Sequence, residues 1–183
     1  MSEPSSPGTQ GAAASSSPYI TLARHIRQLE KTDAGERAAL ARMSPEQALR
    51  PNEIAALARA LLAAGLETEL WRPATWQRWA LIAHGMALAG HDGQGRLGAQ
   101  LARANVAESR VTKLLTARGD AFTQMLPSVL RLLASKAVAP NWNELGPLVL
   151  KECGDRQDQQ DAEQIRLRIA GSYFSLQASK AAA

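Results

Sequence analysis

GAQLARANVAESRVTKLLTARGDAFTQMLPSVLRLLASKAVAPNWNELGPLVL, residues 98–150, entered through Arg96 and Leu97, carries the most regular helical pattern of the chain. Leu97, Leu101 and Ala104 form a short apolar seam. Val111, Leu114 and Leu115 recur at helical spacing and predict a helix over about 107–117. Arg110 and Lys113, three apart, share an adjoining face, and Arg118 extends that side at the C-terminal end. A cation near a helix C-terminus also interacts favourably with the helix dipole, so a structural role competes with a binding one. Phe122, Met125, Leu126, Val129, Leu130, Leu132 and Leu133 then make a broad apolar stripe, with Asp120 placed to cap its start. Pro127 lies inside that stripe and predicts a kink or a late start, because proline lacks the helical N–H. Asn141 is placed to cap a helix beginning at Trp142, whose interior Pro147 interrupts.

Charge is concentrated in the same stretch. Residues 1–100 hold ten Lys/Arg against nine Asp/Glu, and residues 137–183 hold five against six. Between 101 and 136 the tally is six against two: Arg103, Arg110, Lys113, Arg118, Arg131 and Lys136 against Glu108 and Asp120. The formal net charge of +4 therefore resides in one segment. Exposed surfaces tend to intersperse the two signs, so a local excess points to an anionic partner.

Outward from this stretch, Ala, Leu, Arg, Gln and Glu dominate, all good helix formers. Val/Ile/aromatic alternation of period two is absent, which leaves strands without support. The fold class is all-α: a helical bundle of about eight helices, as one body or two small lobes. Residues 1–17, rich in Ser, Gly, Ala and Pro, are expected to stay disordered when free, since so few bulky apolar groups cannot offset ordering entropy. Residues 18–178 form the helical domain, and 179–183 should fray.

Within that domain, Ser17 and Pro18 open the first helix, with Ile20, Ala23, Ile26 and Leu29 inward and Arg24, Arg27 and Lys31 on another face. Asp33 and Glu36 read as a capping box. Ser44-Pro45-Glu46-Gln47 begins a short helix that stops before Pro51. A helix over about 52–64 is expected to bury Ile54, Leu57, Leu61 and Leu62 and to end at Gly65. Pro73 opens the next helix, about 74–90, whose Trp76 and Trp79 suit a core layer better than base stacking. Gly90 to Gly98 has GxGxxG-like spacing but no preceding strand, so it reads as a flexible connection rather than a dinucleotide site. A last helix over about 158–178 docks through Ile165, Leu167, Ile169, Tyr173, Phe174 and Leu176.

Catalysis has little support. His25, His84 and His91 fall on separate elements, and no ligand spacing of three or four joins them, so no metal or other cofactor is expected. The single Cys153 precedes Gly154 at a helix end, whereas thiolates are activated at helix N-termini, and it reads as structural. No run approaches the length of a membrane span, and the N-terminus lacks a secretory pattern, so a cytoplasmic protein without a membrane partner is expected. Exposed Arg and Lys with few acids nearby can neutralise phosphates without reading sequence.

Residues in order then carry a resemblance. Gly35 to Arg42 (GERAALAR), Leu97-Gly98 with Leu101-Ala102, Glu108-Ser109-Arg110, Leu114-Leu115 with Ala117-Arg118, Leu126, Leu130 to Leu133, and Trp142 with Leu145 together resemble the CasB family. That family is the small subunit of the type I-E CRISPR Cascade complex, and the resemblance covers about residues 19–178. It implies an all-helical, non-catalytic subunit, present as a pair of copies beside the guide-RNA-bearing backbone and the large subunit. It further implies contacts between basic residues and the displaced single-stranded DNA of the R-loop, or the guide RNA. By position, Arg37, Arg42, Arg110, Arg118 and Arg131 are the expected phosphate contacts, and Lys113 joins them by adjacency to Arg110. A helical adaptor that bridges protein subunits, its basic face merely solvated, is the other reading.

Overall fold

Nine consecutive residues of one helix, Trp79 to Ala87, are buried, and the rest of the fold is arranged about them. A helix that is apolar on all sides must lie inside, with other helices covering each face. In the computed structural model, which describes residues 17–182, this helix is α4 (Pro73–Ala89). Around it pack α1 (Pro18–Thr32), α2 (Ala34–Arg42), α3 (Pro51–Ala63), α7 (Gly119–Ser135) and α8 (Trp142–Lys151). The short α5 (Leu97–Arg103) lies along the long α9 (Arg156–Ala181), and α6 (Glu108–Thr116) bridges α7 and α9. The fold is all-α, with nine helices and no strand among the described residues, and their buried apolar side chains join in one core. The expected disorder of residues 1–17 lies outside the described residues but for Ser17.

Close approach is permitted by two glycines. A Cβ on Gly85 would collide with the Trp142 indole and with Leu130, so α7 and α8 reach α4 only because that position is bare. Trp142 is then fully buried and its indole N–H donates to the Gly90 carbonyl at 3.0 Å. A Cβ on Gly98 would meet the backbone of Ile169 and Tyr173, which brings α5 against α9 main chain to main chain. Aromatic rings dock α1 on the other side: Tyr19 stacks on Trp79 at 5.7 Å, and Trp71 stacks on Trp79 at 5.8 Å. The tryptophans are packing groups, as their spacing suggests.

Two local start signals hold, although the Glu36 carboxylate pairs with Arg59 instead of completing a capping box, and Ser17 makes no side-chain cap. Asp33 accepts the Glu36 N–H at 2.9 Å, and Asn141 accepts the Asn143 N–H at 2.9 Å. Several expectations are corrected. Ser44 to Gln47 makes a turn closed by Gln47 N–H to the Ser44 carbonyl, because Pro51, the first residue of α3, leaves no room for a further helix. The seam at Leu97 is itself a helix, α5. Helix α7 runs through Pro127 from Gly119, and Arg118, not Asp120, sits at its N-cap. Helix α9 extends to Ala181 rather than fraying after 178, since Lys180 donates to the Ala102 carbonyl at 2.7 Å. Cys153 is exposed at the turn after α8.

Two apolar stripes keep their anchors, Leu57 and Leu61 on α3 and Ile165, Ile169 and Tyr173 on α9, but their flanking residues differ from expectation. On α3 the inward residues are Glu53, Ala56, Leu57, Ala60 and Leu61, which leaves Ile54 and Leu62 exposed. On α9 they are Ala162, Ile165, Arg166, Ile169 and Tyr173, which turns Leu167 and Phe174 outward. A step of one residue rotates a helix by about 100°, enough to move a side chain off the buried face. The segment Gly90 to Gly98 is no loose connection either. Gln100 donates to the Asp92 carbonyl at 3.1 Å and accepts the Asn141 N–H at 2.7 Å, Asn141 donates to the Gly95 carbonyl at 2.7 Å, and Glu144 accepts the Leu97 N–H at 2.7 Å.

Candidate nucleic-acid interface

The buried line of α6, Val111 and Leu114, fixes which way its cations point. Arg110 and Lys113 lie beside that line on the exposed flank, and the side chain of neither forms a hydrogen bond or ion pair with another described residue. Arg118 is differently employed. Its guanidinium donates to the Leu115 and Ala117 carbonyls at 2.8 and 2.9 Å, closing the C-terminal end of α6, and pairs with Glu163 of α9 at 2.6 Å. Those carbonyls have no partner within the helix, so a cation there stabilises the α6–α7 corner.

The corner is held from beneath by a network the sequence did not reveal. Arg166 of α9 reaches the buried Glu152 at the end of α8, bonds Glu163 at 2.9 Å, and lies over the Phe122 ring at 5.8 Å. Glu152 in turn accepts the Gly119 N–H at 2.8 Å. Desolvated charges are tolerated only when paired and hydrogen-bonded, and this pair fixes α7, α8 and α9 in register around Arg118. Arg166 stands in an ordinary polar run with no periodicity of its own, which is why the pattern passes over it.

Two of the remaining candidates, Arg42 and Arg131, lie at the junction of α2, α4 and α7. The Nδ1 of buried His84 lies 3.2 Å from the Leu40 carbonyl, two residues before Arg42. Burial pushes His84 below its ordinary range; the Leu40 carbonyl and Glu46 oppose that shift, and nearby Arg131 adds to it. A neutral ring there donates from Nδ1 to the carbonyl. Arg42 and Arg131 are exposed and have no ion-pair partner among the described residues. Arg37 pairs with Glu30 at 2.9 Å and lines a cavity of about 270 Å³ between α1, α2 and the end of α4. The six candidates therefore divide. Arg110, Lys113 and Arg118 mark the α6 corner, while Arg37, Arg42 and Arg131 mark the α2 side. Arg131 follows Arg118 by thirteen residues, about 20 Å along α7.

Residues 36–174, more than half of the chain, match the family described as CRISPR-associated protein Cse2. The chain belongs to the Cse2 family. Cse2, also called CasB, is the type I-E Cascade small subunit, so this Cse2 chain is a subunit of a multi-subunit CRISPR Cascade complex. The family is structural within that assembly. No curated protein and no solved structure matches the chain. The Cse2 match runs from within α2 through most of α9, including the α6 corner and the buried Arg166–Glu152 pair. No helix among the described residues is long and apolar enough to cross a membrane.

Proposed function

We propose that this Cse2 chain is a non-catalytic Cascade subunit that binds nucleic acid without reading its sequence and holds the displaced DNA strand of the R-loop. The observation that carries the proposal is the set of exposed cations left without intramolecular partners: Arg110 and Lys113 on α6, Arg42 and Arg131 at the α2–α7 junction. Such side chains neutralise phosphates and release counterions, which gives affinity without base readout. Strand exchange in an R-loop is nearly balanced, so a few phosphate contacts on the displaced strand shift it towards the open form. Arg118 and Arg37 act mainly as organisers of the two basic groups. The partners are the guide-RNA-bearing backbone, the large subunit, a second copy of this chain, and displaced single-stranded DNA or guide RNA. The site of action is the cytoplasm.

A purely bridging adaptor is the second reading, favoured by exposed apolar side chains. Leu70, Leu62 and Leu167 are 96%, 60% and 71% exposed, and Ile54, Trp71 and Trp76 line a shallow groove. Single-stranded oligo-dT binding at two salt concentrations separates the two readings, with wild type beside Arg110→Ala/Lys113→Ala. Salt-sensitive binding weakened in the double variant supports the strand-holding function. Absence of binding, in the isolated chain and in the assembled complex alike, leaves the adaptor.

A further inference from the structure

The cavity beside Arg37 contains more positive charge than its own acid can balance. Arg24 and Arg27, one turn apart on α1, line it together with Arg37 from α2, and Glu30 is the one acid among the lining residues. Arg24 and Arg27 are exposed, and their guanidinium groups have no hydrogen bond or ion pair with another described residue. Glu30 holds Arg37 by one terminal nitrogen, while the Arg37 Nε–H is buried without a partner. A buried donor without an acceptor is unfavourable and is relieved by any ligand oxygen that reaches it. His91, also on the wall, adds no charge: its Nδ1 accepts the Trp142 N–H at 3.1 Å, which requires an unprotonated nitrogen. Two guanidinium charges thus remain uncompensated.

We propose that Arg24, Arg27 and Arg37 form a pocket for a phosphate monoester, either a nucleoside monophosphate or the phosphorylated end of a strand. A monoester carries between about −1.5 and −2 charges at neutral pH, which matches the uncompensated pair. Guanidinium forks suit its oxygens, with two N–H groups meeting two oxygens in parallel. Ile20, Ala23, Ile26 and Met86 supply an apolar wall, on which the face of a sugar or base can rest. At about 270 Å³ the cavity is far larger than one ion needs and lies just below the range of small-molecule pockets, about 300–1,000 Å³. Arg24, Arg27 and most of the apolar wall precede residue 36, where the match to the Cse2 family begins, so the pocket is built largely from residues that the match does not cover. The proposal deepens the nucleic-acid reading and rests on it only for the polymer that bears the phosphate.

The test is calorimetric titration of the full chain with dTMP, inorganic phosphate and thymidine, and with an oligo-dT with or without a 5′-phosphate. Wild type is compared with Arg24→Ala/Arg27→Ala and with Arg110→Ala/Lys113→Ala, circular dichroism checking the fold of each. Binding of dTMP but not thymidine, weakened about tenfold or more in the α1 variant and unchanged in the α6 variant, is the expected result. A preference for the phosphorylated oligo-dT, lost in the α1 variant, identifies a strand end as the source. Binding of dTMP without that preference identifies a free nucleotide. No dTMP binding at low salt, equal binding of thymidine, or a folded α1 variant that binds as wild type does, each overturns the pocket. Binding of the unphosphorylated oligo-dT is the separate readout of the α6 face, so either proposal can fail alone.

Discussion

The guanidinium of Arg166 and the carboxylate of Glu152 meet inside the protein, with side chains only 5% and 3% exposed. Through Glu163 and the Gly119 N–H, that pair reaches the corner where the basic α6 meets α7. The corner's exposed cations are thus presented by a buried electrostatic support rather than by apolar packing alone.

Breaking the pair strands a charge in the interior. Arg166→Met should destabilise the chain by about 3–5 kcal/mol, and Arg166→Met with Glu152→Leu should recover a large part of that loss. Urea midpoints of the two variants beside wild type measure both. A single variant within about 1 kcal/mol of wild type would mean that water or another side chain replaces the partner.

Gly85 and Gly98 both permit close packing, but against different neighbours. Gly85→Ala pushes on the Trp142 and Leu130 side chains, which can shift, and should cost about 1–3 kcal/mol. Gly98→Ala pushes on the backbone of Ile169 and Tyr173, which cannot, and should cost more. Thermal melts that rank the two in the opposite order would contradict the assignment of α5–α9 as main-chain contact.

Cations of the α6 corner should separate by role. In single-stranded DNA binding, Arg110→Ala/Lys113→Ala should lower the slope of log affinity against log salt by about 1.4, near 0.7 per phosphate contact. Arg118→Ala should instead lower the melting temperature with a smaller change of slope, because its guanidinium is engaged by Leu115, Ala117 and Glu163. The reverse pattern would make Arg118 the phosphate ligand.

Acid should loosen the α2–α4 contact before it protonates the carboxylates. His84 is held below its ordinary pKa chiefly by burial, and His91 likewise. The unfolded chain therefore binds more protons than the folded one from the ordinary histidine range, near 6.5, downwards. Stability present above that range should fall as pH drops from 7 towards 5. His84→Gln, whose amide can still donate to the Leu40 carbonyl, should flatten part of the slope and leave the share due to His91. Denaturant midpoints that do not move over this pH range would refute the assignment.

What the residues revealed in advance depended on how local the cause was. Caps at Asp33 and Asn141 and the proline starts of α1 and α4 are decided within one turn, and the sequence shows them. Which flanking positions of α3 and α9 are buried is decided by neighbours distant in the chain: Arg166 turns inward to meet Glu152, and Leu167, one residue on, faces out. The segment Gly90 to Gly98 looked loose because its partners, Gln100, Asn141 and Trp142, come later in the chain. Counting charges located the basic segment, yet it could not tell Arg110, which is free, from Arg118, which is held by Glu163.

The first helix has a consequence for the order in which the protein is made. Tyr19 lies against Gly146 of α8, and Ser17 donates to the Asn143 side chain at 3.2 Å, a contact spanning 126 residues. On a ribosome adding 5–20 residues per second, α1 emerges about 6–25 s before that partner exists. Throughout that interval its apolar edge is uncovered on the α8 side, and a nascent chain in this state is where a chaperone would find its binding site.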